Sequence, residues 1–118
     1  MNLSAPWGKS TSINLYDCNR KKLTDPKAIK LFIHKVIKII DMVAHGPCLV
    51  ERFGIGKLKG YSAMQFIETS SITVHCDEVG DRAFIDIFSC KNFDAKKAKD
   101  YAIKYFGAKK GMSITIDR

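Results

Sequence analysis

Between residues 26 and 43, apolar side chains recur at the three-and-four spacing that lines one face of an α-helix. They are Ile29, Phe32, Ile33, Val36, Ile40 and Val43. Thr24 or Asp25 is placed to cap the start of this helix, Pro26 suits its first position, and Gly46 with Pro47 predicts its end. From residue 48 the period changes to two. Residues 48–53, 61–68, 71–76 and 82–89 are rich in β-branched and aromatic side chains and predict strands. The glycine-rich 54–60 and the polar 77–81 predict turns between them. Residues 12–18, with Ile13, Leu15 and Tyr16, predict a first strand, and residues 113–116 a last one. Asp94 caps a second helix carrying Ala95, Ala98, Ala102, Tyr105 and Phe106, and Gly107 closes it. A strand, a helix, four strands, a helix and a strand predict an α+β fold. It is expected to be a two-layer sandwich, a mostly antiparallel sheet with two helices on one face, in a single domain over 1–118.

Composition narrows the picture only slightly. A chain of 118 residues is long enough to bury a core. Its longest apolar stretch, 31–43, is broken by His34, Lys35, Lys38 and Asp41, which excludes a membrane span there. The first twelve residues lack the apolar run of a secretory signal, so a cytoplasmic protein is expected. Cys18, Cys48, Cys76 and Cys90 are far apart with no CxxC pair, which predicts free thiols and no metal site. The formal net charge is +8, but its lysines fall mainly on the polar faces of the two helices. They predict solvated surfaces rather than a nucleic-acid or membrane partner. A non-catalytic basic binding module is the remaining alternative of that kind; it predicts no self-cleavage and strongly salt-dependent binding.

The candidate chemistry lies in the strands. The segment 60–75, Gly-Tyr-Ser-Ala-Met-Gln-Phe-Ile-Glu-Thr-Ser-Ser-Ile-Thr-Val-His, resembles the processing segment of bacterial and archaeal S-adenosylmethionine decarboxylases. There, a Ser is followed five residues later by His, with another Ser eight residues upstream. These positions are Ser70, His75 and Ser62. The segment 83–90, Ala-Phe-Ile-Asp-Ile-Phe-Ser-Cys, is similar to the family's Asp-Ile-Phe-Thr-Cys strand, and the register between Ser62 and Cys90 holds without a gap. Leu15-Tyr16-Asp17-Cys18 resembles the family's first strand. Phe93-Asp94-Ala-Lys-Lys-Ala98, followed by Phe106-Gly-Ala-Lys109, resembles its last helix. The likeness spans essentially the whole chain, with a different length in the 54–60 loop.

The resemblance implies a self-processing pyruvoyl-dependent decarboxylase. Ser70 would attack the carbonyl of Thr69, the chain would split into 1–69 and 70–118, and residue 70 would become a pyruvoyl group. That group would take the substrate amine as a Schiff base, the part pyridoxal plays in other enzymes. His75 is implied as the base for processing and Ser62 as its partner. Cys90 would be the proton donor to the decarboxylated carbon, with Glu68 a further candidate in processing. The substrate implied is S-adenosylmethionine, for spermidine and polyamine synthesis, in a homodimer of cleaved protomers. The chain also departs from the family pattern. Thr69 stands where a Glu usually precedes the processed Ser, Ser71 stands where His is common, and Cys76-Asp77-Glu78-Val79 replaces Thr-Trp-Pro-Glu. If Asp77 and Glu78 face the pocket, they suit the cationic end of ornithine or arginine. If they form a turn, Phe53 or Tyr61 supplies a flat face for the adenine.

Overall fold

The computed structural model describes residues 5–118. One six-stranded sheet carries three helices, and every pairing in it is antiparallel. Strand β1 spans Lys9–Tyr16, α1 Arg20–Leu23, α2 Pro26–Ile39 and β2 Ala44–Phe53. Then follow β3 Gly60–Ile67, β4 Ser70–Asp77, β5 Arg82–Ser89, α3 Ala95–Phe106 and β6 Lys110–Asp117. The spatial order is β2-β3-β4-β5-β1-β6. The expected two-layer α+β sandwich is therefore the observed architecture.

Local chemistry explains most boundaries. Asp25, not Thr24, caps α2 by accepting from the Lys27 N–H, with Pro26 at the first position. Asp94 caps α3 in the same way, and Gly107 closes it in the left-handed conformation at φ 61°. Helix α1 was not foreseen. It is a single turn capped by Asn19, with Leu23 as its only buried side chain, too short for periodicity to register.

The end of α2 differs from expectation. The helix stops at Ile39, Val43 lies outside it and is exposed, and the chain enters β2 at Ala44. Gly46 and Pro47 sit within that strand, where the pairing with β3 shifts between His45 and Leu49. A bulge accommodates both: Gly46 takes φ 73°, and Pro47 needs no ladder partner. The buried Gln65 amide on β3 donates to the His45 and Gly46 carbonyls, replacing ladder bonds lost there.

The core lies between the helices and one face of the sheet. Ile29, Phe32, Ile33 and Val36 of α2 and Ala98, Ala102 and Phe106 of α3 pack over inward-facing Ile13, Leu15, Ile72, Val74, Ile85 and Ile87. Lys27, Lys30, Lys35, Lys38, Lys96, Lys97 and Lys104 are exposed on the outer helix surfaces, as their periodicity predicts. The opposite face of the sheet carries no helix. It presents Leu49, Phe53, Met64, Phe66, Met112, Ile114 and Ile116, all exposed. No helix among the described residues is long and apolar enough to cross a membrane.

Candidate active site

Antiparallel register aligns a row of side chains across the helix-free face. Glu51 opposes Ser62, Ser62 opposes His75, and His75 opposes Phe84. The Ser62 hydroxyl and His75 Nδ1 lie 2.9 Å apart, within hydrogen-bonding distance. They border a shallow cavity of about 240 Å³, walled by Leu49, Phe53 and Met64 and carrying the Glu51 carboxylate. A second concavity of about 420 Å³ adjoins His75 from the other side, lined by Leu58, Val79, Arg82 and Phe84 among others. A larger one, about 550 Å³, lies apart from this row, between the end of α2 and the segment leading into α3.

Ser70 stands elsewhere. It begins β4, five residues from His75, a span of about 16 Å in an extended strand. Only Glu68 and Thr69 separate β3 from β4. Two-residue hairpins favour turns with positive φ, which match the twist of the paired strands; ordinary turns splay them. Neither Glu68 nor Thr69 has a positive φ, and the mismatch falls on Ser70, at φ 155°. That region is close to glycine-only, and a serine held there costs about 1–3 kcal/mol.

The bond preceding Ser70 is held from several sides. The Thr69 carbonyl accepts a hydrogen bond from the Cys90 N–H at 2.9 Å. The Thr69 hydroxyl accepts from the fully buried Ser89 hydroxyl at 2.7 Å, and Ser89 in turn accepts from the Lys91 N–H at 3.0 Å. Ser70 and Ser89 are also register partners. Ser70, Thr69 and Cys90 thus form one group, and Ser62 with His75 another. Glu68 is exposed, and its carboxylate lies 3.3 Å from His45 Nδ1 on β2.

Such a carbonyl, beside a strained serine and facing a backbone donor, suits an acyl shift. The sequence profile of the family described as S-adenosylmethionine decarboxylase matches residues 9–118. The chain belongs to the S-adenosylmethionine decarboxylase family. Among its relatives, an S-adenosylmethionine decarboxylase proenzyme of Saccharolobus islandicus (strain L.S.2.15 / Lassen #1) is 30% identical over 112 residues, covering 94% of this chain and 88% of the relative. The same values hold for the proenzyme of strain M.16.27. The crystal structure of the adenosylmethionine decarboxylase from Aquifex aeolicus VF5 superposes with a TM-score of 0.80 at 18% identity, covering 97% of this chain and 92% of that one.

For a member of the S-adenosylmethionine decarboxylase family, the thiols sort clearly. Cys90 is exposed, whereas Cys18, Cys48 and Cys76 are buried and all four are free. Burial, with Cys18 and Glu78 nearby, pushes Cys76 up to about 12. Burial likewise pushes Cys18 up to about 11 and raises Cys48. Cys76, buried on the helix side, is poorly suited to donate or accept protons near neutral pH.

Asp77 and Glu78 both face arginines. Arg82 Nε lies 2.7 Å from Asp77 and Arg52 Nε 3.0 Å from Glu78. Burial would raise Asp77, but hydrogen bonds from Arg82 and the Gly80 N–H outweigh it and hold the carboxyl below its ordinary value. Arg52 lowers Glu78 against an opposing burial effect. Two polar residues at these sites escaped the sequence reading. Ser89 was visible only as a departure from Thr in a strand motif, and Glu51 only as one residue of a strand whose partners were unknown.

Proposed function

We propose that the chain cleaves itself between Thr69 and Ser70 and then decarboxylates S-adenosylmethionine, the substrate of the family to which it belongs. The observation that carries this reading is the strained Ser70 next to a carbonyl already held by the Cys90 N–H. Ser70 Oγ attacks the Thr69 carbonyl carbon, and the Cys90 N–H stabilises the charge developing on its oxygen. The C–N bond breaks, leaving Thr69 as an ester on Ser70 and residue 70 with a free amine. Removal of the Cα proton of residue 70 expels the Thr69 carboxylate, and water converts the resulting dehydroalanine to a pyruvoyl group with loss of ammonia. The pieces 1–69 and 70–118 stay joined because β3 pairs with β4 and β1 pairs with both β5 and β6.

The position suits such a group. Residue 70 is half-buried and already bent away from ordinary serine geometry, and its register partner Ser89 is uncharged. Once made, the pyruvoyl carbonyl condenses with the substrate's α-amine and draws off the electrons left as carbon dioxide departs. Cys90, an exposed residue whose backbone N–H meets the Thr69 carbonyl, returns a proton from its thiol to the substrate carbon.

His75 is the base of this scheme, yet about 16 Å of strand separates it from Ser70 of its own chain. The reading is completed by a homodimer stacked through the helix-free face, so that His75 and Ser62 of one copy serve Ser70 of the other. The apolar residues of that face support this arrangement, and so does the cavity at His75. At about 240 Å³ it is smaller than the roughly 300–1,000 Å³ of typical ligand sites, and it lacks a wall. Phe53 gives that cavity a flat face for adenine. The ornithine or arginine reading is weakened because Asp77 and Glu78 are taken by Arg82 and Arg52. A cytoplasmic setting fits four free thiols. Intact-mass analysis is expected to give fragments 1–69 and 70–118 with a blocked residue 70, and purified protein to release carbon dioxide from S-adenosylmethionine. A chain that stays whole on long incubation would refute the reading.

A further inference from the structure

The acidic residues that follow His75 in the chain and the one two strands away on its row differ in one respect. Asp77 and Glu78 are consumed by arginines, while Glu51 has no ion-pair partner among the described residues. Strand alternation places Leu49, Glu51 and Phe53 on the helix-free face and sends the intervening Arg52 to the other side, where it meets Glu78. Glu51 therefore borders the cavity at Ser62 and His75 as its only carboxylate, with Leu49, Phe53 and Met64 as apolar walls. The walls are exposed in the single chain, so the charge gains strength against a cation when a bound ligand or a covering copy excludes water from this shallow site. The cavity thus combines a flat aromatic face, a hydroxyl–imidazole pair and one negative charge without an ion-pair partner among the described residues.

We propose that Glu51 recognises the positive charge of the substrate. The inference rests on the function proposed above. For S-adenosylmethionine that charge is the sulfonium; for ornithine or arginine it would be the distal ammonium or guanidinium. The chemistry is the same, a carboxylate against an onium group, and the two sources are separable by experiment.

Equilibrium binding of S-adenosylmethionine, ornithine, arginine and the neutral thioether 5′-methylthioadenosine is measured by calorimetry on the non-cleaving Ser70→Ala chain, with and without Glu51→Gln. Steady-state carbon dioxide release is measured in parallel on the self-cleaving protein carrying Glu51→Gln, Glu51→Asp or the remote control Asp100→Asn. Glu51→Gln is expected to weaken the bound cation about tenfold, the scale of one charge-assisted contact, and to leave 5′-methylthioadenosine unchanged. In turnover, KM rises by a similar factor and kcat changes less than about threefold. Glu51→Asp recovers part of the loss, self-cleavage is normal in every variant, and the control matches the parent. The cation that binds and suffers the loss identifies the source. An unchanged affinity, an equal loss for the neutral thioether, or no binding of any of the three cations would overturn the assignment. Failure of the parent protein to cleave or to release carbon dioxide counts instead against the proposed function, which the binding arm does not require.

Discussion

Ser70 concentrates two properties that are normally kept apart, a nucleophilic hydroxyl and a backbone at φ 155°. Ser70→Ala is expected to abolish cleavage, since no hydroxyl remains to accept the acyl group. Ser70→Gly also cannot cleave but removes the steric penalty, so its chemical-denaturation stability should exceed that of Ser70→Ala by about 1 kcal/mol. Equal stabilities would mean that no strain is held at this residue. Cys90 calls for a different separation. Its backbone N–H, which faces the Thr69 carbonyl, survives substitution, whereas its thiol does not. Cys90→Ala should therefore cleave and yet decarboxylate at least about 100-fold more slowly, the usual scale for losing a positioned proton donor. Thiol labelling of the native protein near pH 8 should modify Cys90 alone. Cys18 and Cys76, pushed up by burial to about 11 and about 12, should react only after unfolding.

At the scale of elements, the turn from β4 into β5 is held by charge. Asp77 pairs with Arg82 and Glu78 reaches across to Arg52 on β2. Both carboxyls are lowered in the folded protein, so their stabilisation is complete above the ordinary carboxylate range. It is lost as pH falls through the depressed folded values. Thermal midpoints should hold steady from neutral pH to about 5 and decline below about 4. Arg52→Ala combined with Arg82→Ala should lower the plateau by about 1 kcal/mol per pair at most, because the arginines are half-exposed, and should flatten the acid decline. An unaltered decline would place the acid sensitivity in other groups. The β3–β4 hairpin works differently. Its geometry is set by a turn sequence, Glu68-Thr69, that has no glycine to absorb the twist, and Ser70 inherits the mismatch.

At the scale of the whole molecule, one sheet face is covered by helices and the other is left apolar and open. Phe66 and Ile114 are 59% and 69% exposed in the single chain, so Phe66→Asp with Ile114→Asp should leave the fold intact. The variant should elute as a monomer and lose cleavage if that face joins two copies. Coexpression gives a sharper test of the shared site. A His75→Ala chain retains Ser70 but lacks the proposed base, and a Ser70→Ala chain supplies that base but has no hydroxyl for the proposed cut. Together they should yield cleaved His75→Ala chain, which neither gives alone. Absence of that product would place His75 and Ser70 in service of the same copy.

The sequence by itself determined the two long helices and the strand count of the sheet, because caps and the switch from a three-and-four to a two-residue period are local signals; it predicted a mostly antiparallel sheet, and the fold makes every pairing antiparallel. It also picked out Ser62, Ser70, His75 and Cys90, through spacing shared with a known family. What it did not contain was the single turn α1, with one apolar residue, or the absorption of Gly46 and Pro47 into a bulge stabilised by Gln65 from a neighbouring strand. Cross-strand register was equally out of reach. Only the folded sheet aligns Ser62 with His75, sets the Cys90 N–H on the Thr69 carbonyl, occupies Asp77 and Glu78 with arginines and leaves Glu51 without an ion-pair partner among the described residues. Each of these depends on which strands become neighbours and in what alignment. Pairings between residues far apart in the chain are fixed by burial of one common face, and no local stretch of sequence carries that information.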